Sequence, residues 1–170
     1  CMGLNQAMQP IAGYNYGARL YSRVKEVFWK TARLATVVTT LCFLMSILIP
    51  GLATGIFTHD KELLGIASKG LTLLNMAFPI VGFQIVSSNL FQSLGMVKKS
   101  IILSLSRQLL FLLPCLYFLP MGFDAKGIWM SYPVADGIAS LVTIVLLSRL
   151  LKKFRMLNDG DDPSILGSSI

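Results

Sequence analysis

Asp136 and Arg107 are the residues best placed to do chemistry in this sequence, because each is a lone charge inside a long apolar run. An ionisable side chain in hydrocarbon is costly enough that its presence points to use. On a helix, Trp129 and Tyr132 share the face of Asp136 at seven and four residues before it, and Ser140 and Thr143 at four and seven after it. Such a stripe faces a neighbouring helix or a wet cavity. Two readings fit the carboxyl: it takes up and releases a proton as a cavity opens to alternate sides, or it only hydrogen-bonds an adjacent helix. Arg107 follows Lys99 by roughly two turns and reads as a guanidinium near the cytoplasmic side that snorkels or closes an ion pair, with substrate contact as the alternative. The amides Asn75, Gln84, Asn89 and Gln92 surround Pro79 and Gly82. With Tyr132 and Ser140, the first three are cavity-lining candidates, although such amides also act as glue between helices. Gln84 and Asn89 fall on different helical faces, which predicts that they do not serve together. Near the start, Gln9, Pro10, Gly13 and Gly17 form a second group in which small residues four apart allow close helix approach and Pro10 frees a carbonyl. These four, with Pro79 and Gly82, are packing or hinge candidates.

Hydrolytic and nucleotide-driven mechanisms find no support. The only histidine, His59, sits beside Asp60, and no His/Cys cluster or Gly-rich phosphate loop is present. Cys1, Cys42 and Cys115 fit neither a disulfide framework nor a metal-ligand spacing. Asp159, Asp161 and Asp162 lack the remaining ligands of a calcium loop and read as solvated. No metal and no cofactor is expected beyond a coupling ion, and no enzyme activity.

The elements that must position Asp136 and Arg107 follow from composition. The 170 residues are 54% hydrophobic and only 14% charged, which excludes a water-soluble globule. Tracts 34–59, 70–97, 100–123 and 127–148 are uncharged apart from Arg107 and Asp136, and each can cross a hydrocarbon core of about 30 Å. The expected spans are about 34–57, 70–95, 100–121 and 127–149, preceded by the end of another span at 1–18 and by a short interfacial helix at 19–33. Residues 156–170 read as a polar, disordered cytoplasmic tail. The net charge of +7 would suit nucleic acid, but its placement explains it otherwise. Arg19, Arg23, Lys25, Lys30, Arg33, Lys98, Lys99, Arg149, Lys152, Lys153 and Arg155 all flank spans on one side, which the positive-inside rule makes cytoplasmic. The fold class is therefore an all-α polytopic transmembrane helix bundle with membrane lipids as its surroundings and no nucleic-acid partner. The opening Cys-Met-Gly carries no recognisable signal peptide, so the chain reads as part of a longer one.

The strings NQAMQPIAGYNYGARLYSRVKE, IFTHDKEL, FQSLGMVKKS, RQLLFLLPCLYFLP and GIWMSYPVAD, in this order, resemble the carboxy-terminal half of multidrug and toxic compound extrusion (MATE) transporters, in the MepA-like or DinF-like branch. The resemblance covers residues 1–155. It implies a partial carboxy-terminal six-helix lobe of a twelve-helix secondary transporter, in which the spans here correspond to the end of the eighth helix and the ninth to twelfth. It further implies export of amphipathic or cationic small molecules in exchange for protons or sodium across the inner membrane, with the missing amino-terminal lobe as partner. The coupling carboxylate that some members carry on the tenth helix has no counterpart in residues 63–97. Coupling then falls to Asp136 or to the missing lobe. A lipid-linked oligosaccharide flippase of the same superfamily and a non-transporting membrane scaffold are the alternatives.

Overall fold

The computed structural model describes residues 1–49 and 61–162, and every regular element among them is helical. The His59-Asp60 pair and the tail beyond Asp162 lie outside the described residues. Helix α1 (Met2–Gly17) buries Asn5, Met8, Ala12 and Asn15, a three-four spacing that marks one face. Helix α2 (Tyr21–Leu48) continues the same periodicity through Tyr21, Val24, Phe28, Ala32, Ala35 and Thr39. The separate interfacial helix expected at 19–33 is therefore corrected: from Tyr21 these residues are the first half of one helix. No Pro or Gly interrupts the run, and its buried stripe passes unbroken from the charged half into the apolar half.

Helix α3 (Lys61–Leu74), a 3₁₀ turn (Asn75–Ala77) and helix α4 (Phe78–Ser93) come next in the chain. Pro79 lies in the first turn of α4, where its missing N–H costs nothing, and the tightened 3₁₀ turn just before it absorbs the change of register. Helix α5 (Val97–Leu105) passes into a π-helical segment (Ser106–Leu112) and then helix α6 (Leu113–Met156). Pro114 cannot donate to the turn before it, and the π segment ends two residues ahead of it, a local adjustment that spanning helices use around proline.

Helix α6 is one helical stretch by backbone geometry, yet it doubles back on itself. Ser131 Oγ donates to the Cys115 carbonyl at 3.0 Å, whereas sixteen residues of straight helix would separate them by about 24 Å. A Cβ on Gly127 would likewise collide with the Leu119 carbonyl. The result is a helical hairpin, Val97–Gly122 against Gly127–Met156, both long and apolar enough to span a membrane, as are Tyr21–Leu48 and Gly65–Ser93.

Helix α4 is the centre of the bundle and packs on α1, α2, α5 and α6. Between lipid-immersed helices the hydrophobic effect supplies little drive, so close backbone approach and hydrogen bonds must hold them. Gly82 supplies one such approach: a Cβ there would lie 2.5 Å from Thr39 Oγ1 and 2.9 Å from the Ala35 carbonyl oxygen of α2. The turn after α4 ends on Gly95 at φ 75°, with Met96 N–H bonded to Phe91 O and Gly95 N–H to Gln92 O, a Schellman cap that reverses the chain into α5. The outer side of the hairpin is apolar and bare: Leu110 is 65% exposed, Phe118 66% and Met121 73%. A surface of this kind requires hydrocarbon around it.

Candidate functional site

Asp136 and Arg107, in opposite arms of the hairpin, form an ion pair. Arg107 Nε donates to Asp136 Oδ1 at 2.6 Å, with the carboxylate side chain 9% and the guanidinium side chain 35% exposed. Counting about 1.5 Å per residue, Arg107 is roughly 15 Å from Val97 and Asp136 roughly 13 Å from Gly127, so the pair sits near mid-depth of a core about 30 Å thick. Of the two roles expected together for Arg107, snorkelling or an ion pair, the structure shows the ion pair. Either charge alone would cost several kcal/mol in such surroundings, and their contact offsets part of it.

The pair borders two clefts. One, of about 180 Å³ between α4 and the π segment, is lined by Gln84, Ser88, Asn89, Ser104, Arg107 and Gln108. The other, of about 170 Å³ within the hairpin, is lined by Arg107, Gln108, Leu112, Tyr132 and Asp136. Gln84 and Asn89 therefore share a cleft, contrary to the expectation from their helical faces. They bracket Ile85 and Ser88, and side chains of this length reach the same space from either side.

Most polar groups around the first cleft are already satisfied. Asn89 Oδ1 accepts from Gln9 Nε2 of α1 at 3.0 Å, its Nδ2 donates to Ile85 O, and the Ser88 and Ser104 hydroxyls lie 3.2 Å apart. Gln84 Oε1 is different: the residue is 4% exposed and this oxygen has no hydrogen-bond partner.

The other candidates are spread through the bundle. Asn75 Nδ2 donates to Ser46 Oγ at 2.7 Å, tying the 3₁₀ turn to α2. Ser140 Oγ donates to the carbonyl of Asp136 one turn earlier on α6, at 2.6 Å, so it braces its own helix. Tyr132 is 40% exposed at the mouth of the hairpin cleft. Gln9 joins α1 to α4 through Asn89, Pro10 lies inside α1, and a Cβ on Gly13 would stand 3.1 Å from the Ser93 carbonyl. Gly17 is a correction to the packing group, since nothing lies within 4 Å of its Cβ position.

A second charged cluster lies away from the spans, where solvated acids were expected. Arg19, at φ 58°, occupies the left-handed position of a Schellman cap ending α1, with Leu20 N–H on Asn15 O and Arg19 N–H on Tyr16 O. That conformation costs a non-glycine residue about 1 kcal/mol. The segment after α6 docks onto this turn. Gly160 N–H donates to Arg19 O, Arg19 Nη2 pairs with Asp162 at 2.9 Å, and the Tyr21 hydroxyl donates to Asp161 O. Asp159 accepts from the Ser22 hydroxyl and, at 2.9 Å, from the Ser22 N–H at the opening of α2. These hydrogen bonds, the hydroxyl's foremost, hold the Asp159 carboxyl below the usual carboxylate range. The disordered tail expected from residue 156 is thus ordered to Asp162. The acids complement the unbonded N–H groups and positive dipole end of α2, which has no capping side chain of its own.

The Arg107–Asp136 contact did have a signal in the sequence. Two lone opposite charges stand in adjacent apolar tracts, Arg107 ten residues into the span that starts at Val97 and Asp136 nine residues into the one that starts at Gly127, so each falls toward the middle of its own span. A buried ion pair inside a bundle of lipid-length helices defines an all-α, multi-pass membrane protein. Residues 1–118 match the family model described as MatE, and the chain belongs to that family. It is similar to the MATE multidrug transporter DinF-BH, solved as a ligand complex, at 39% identity over 92% of this chain and 35% of that one, with a TM-score of 0.84. The multidrug export protein MepA of Staphylococcus aureus (strain MSSA476) is 20% identical over 86% of this chain and 32% of its own length. An inward-facing MATE family transporter of the MOP superfamily shares the fold at 18% identity and TM-score 0.83, over 91% of this chain and 36% of that one. The chain thus spans about a third of the length of these relatives.

Proposed function

We propose that the chain serves in a secondary efflux transporter that exports amphipathic or cationic small molecules in exchange for protons or sodium. The observation that carries this reading is the 39% identity to DinF-BH across 92% of the chain, reinforced by an ion pair at mid-depth beside two polar clefts. The helices beyond this third of the fold would complete a cavity between two lobes, and rocking of the lobes would expose it alternately to each side. Asp136 is the coupling candidate within this chain, and proton binding there would neutralise one half of the pair. The excess of basic residues in the loops on one side supports a cytoplasmic carboxy-terminal end in an inner-membrane protein.

The test is efflux of the fluorescent cation rhodamine 6G from everted membrane vesicles carrying the full-length chain. Imposing a proton or a sodium gradient separately identifies the coupling ion. Asp136→Asn is expected to lower gradient-driven efflux at least about tenfold while leaving insertion intact. Unchanged efflux in that variant would remove Asp136 from coupling, and no efflux by correctly inserted protein under either gradient would overturn the transporter reading.

A further inference from the structure

We infer that Gln84 is the second docking position of the Arg107 guanidinium, which leaves Asp136 for the Gln84 carbonyl when Asp136 binds a proton. The inference rests on the proposed role of Asp136 in coupling. Donors and acceptors around the pair are out of balance. Arg107 has five N–H groups and uses Nε on Asp136, while Gln84 Oε1 is buried without a donor. Both residues line the same cleft of about 180 Å³, and Arg107 also lines the hairpin cleft that holds Asp136. Arg107 thus shares one cleft with its present partner and the other with the residue that carries the unused acceptor.

The other acceptors in the first cleft are less available. Asn89 Oδ1 is held by Gln9, and the Ser88 and Ser104 hydroxyls bond one another. Gln108 is exposed, not enclosed in the bundle as Gln84 is. A buried carbonyl without a donor keeps its full desolvation penalty, so this arrangement is expensive unless another state uses the oxygen. Arg107 also lies in the π segment, and such segments cluster where helices change register in function.

Few groups compete for the proton. Tyr132 is the other titratable side chain at the hairpin cleft, and α4 carries no ionisable residue at all. Lys98 and Lys99 lie in the first turn of α5, and Lys69 of α3 lies beside Gly70, level with Trp129 and two turns from Asp136. With Asp136 neutral, the strongest attraction on Arg107 disappears and a carbonyl acceptor becomes the better partner. Proton arrival is thereby converted into a side-chain movement from α6 toward α4, the helix at the centre of the bundle.

The experiment has two arms on the full-length chain. In lipid nanodiscs, the ¹⁵N resonances of the Arg107 guanidinium, assigned by their loss in Arg107→Lys, are compared between native protein and Asp136→Asn. A through-space contact between Arg107 and the Gln84 side chain is expected only in Asp136→Asn, and its absence there would overturn the inference. In vesicles, the pH profile of rhodamine 6G efflux is measured. Gln84→Leu removes the second partner and is expected to move the profile about one unit to lower pH, whereas Gln84→Glu moves it to higher pH. A profile unmoved by both variants would also overturn the inference. Absence of efflux would defeat the transporter reading but not the nanodisc result, so the two failures are separable.

Discussion

At the scale of single residues, the Arg107–Asp136 pair decides most. Removing one member leaves the other buried alone, and this is worse than removing both. Arg107→Met is expected to destabilise the folded bundle by about 3 kcal/mol, and Arg107→Met with Asp136→Leu to recover most of that loss. Thermal unfolding in detergent checks both, and a double variant as unstable as the single one would mean that the contact carries little. Both charges were legible in the sequence as isolated ionisable groups in apolar tracts. Their partnership was not read, because helical faces were assigned one helix at a time. The pairing depends on how deep each residue lies within its own span, which a face angle does not give. The same habit separated Gln84 from Asn89, since a face angle ignores the reach of an amide side chain across a cleft.

At the scale of elements, the glycines sort themselves by what lies opposite. Gly82→Ala is expected to cost about 1–3 kcal/mol, because the new methyl meets Thr39 Oγ1 at 2.5 Å and the Ala35 carbonyl at 2.9 Å. Adding Thr39→Ala should restore part of the loss and not all of it, since the Ala35 backbone remains. Gly17→Ala, with open space around it, should be neutral or stabilising by up to about 1 kcal/mol. Urea or thermal melts of the three variants test the order, and equal effects at Gly82 and Gly17 would contradict it. The four long apolar tracts were plain in the sequence because length and absence of charge suffice to mark them. The boundary drawn at residue 33 was not a true one, since charged residues on a helix show where lipid ends and not where the helix ends. The folding back of α6 between Gly122 and Gly127 was legible as two spans, yet the backbone keeps helical geometry through the turn.

At the scale of the whole molecule, residues 158–162 fasten the end of α6 to the turn between α1 and α2, beside the ring cluster of Tyr16, Tyr21 and Phe154. The lowered carboxyl of Asp159 sets the sign of the pH dependence. Its contribution is present above the ordinary aspartate value of 3.8 and fades as pH falls below that value. The protection factor of the Ser22 amide, its observed exchange measured against the intrinsic rate at each pH, should therefore be high near neutrality and fall below about pH 3.8, and Asp159→Asn should lower it near neutrality with little effect in acid. Exchange that ignores both changes would show that the segment does not hold Ser22. Composition made these acids look like a solvated tail. What composition omitted is the receptor: an uncapped helix start and an arginine held in a left-handed turn, neither visible in the tail's own residues.

Helix α2 is longer than the membrane it crosses. Its 28 residues extend about 42 Å, some 12 Å more than the hydrocarbon. The surplus carries Arg23 and Lys25 on a stiff rod, not on a slack connector, and Lys30 and Arg33 follow within the next two turns. Sinking the bundle by one turn would drown cations, and floating it upward would wet leucines. The rod thus works as a depth gauge, and through α4 it fixes how far the Arg107–Asp136 pair stands from the water on either side.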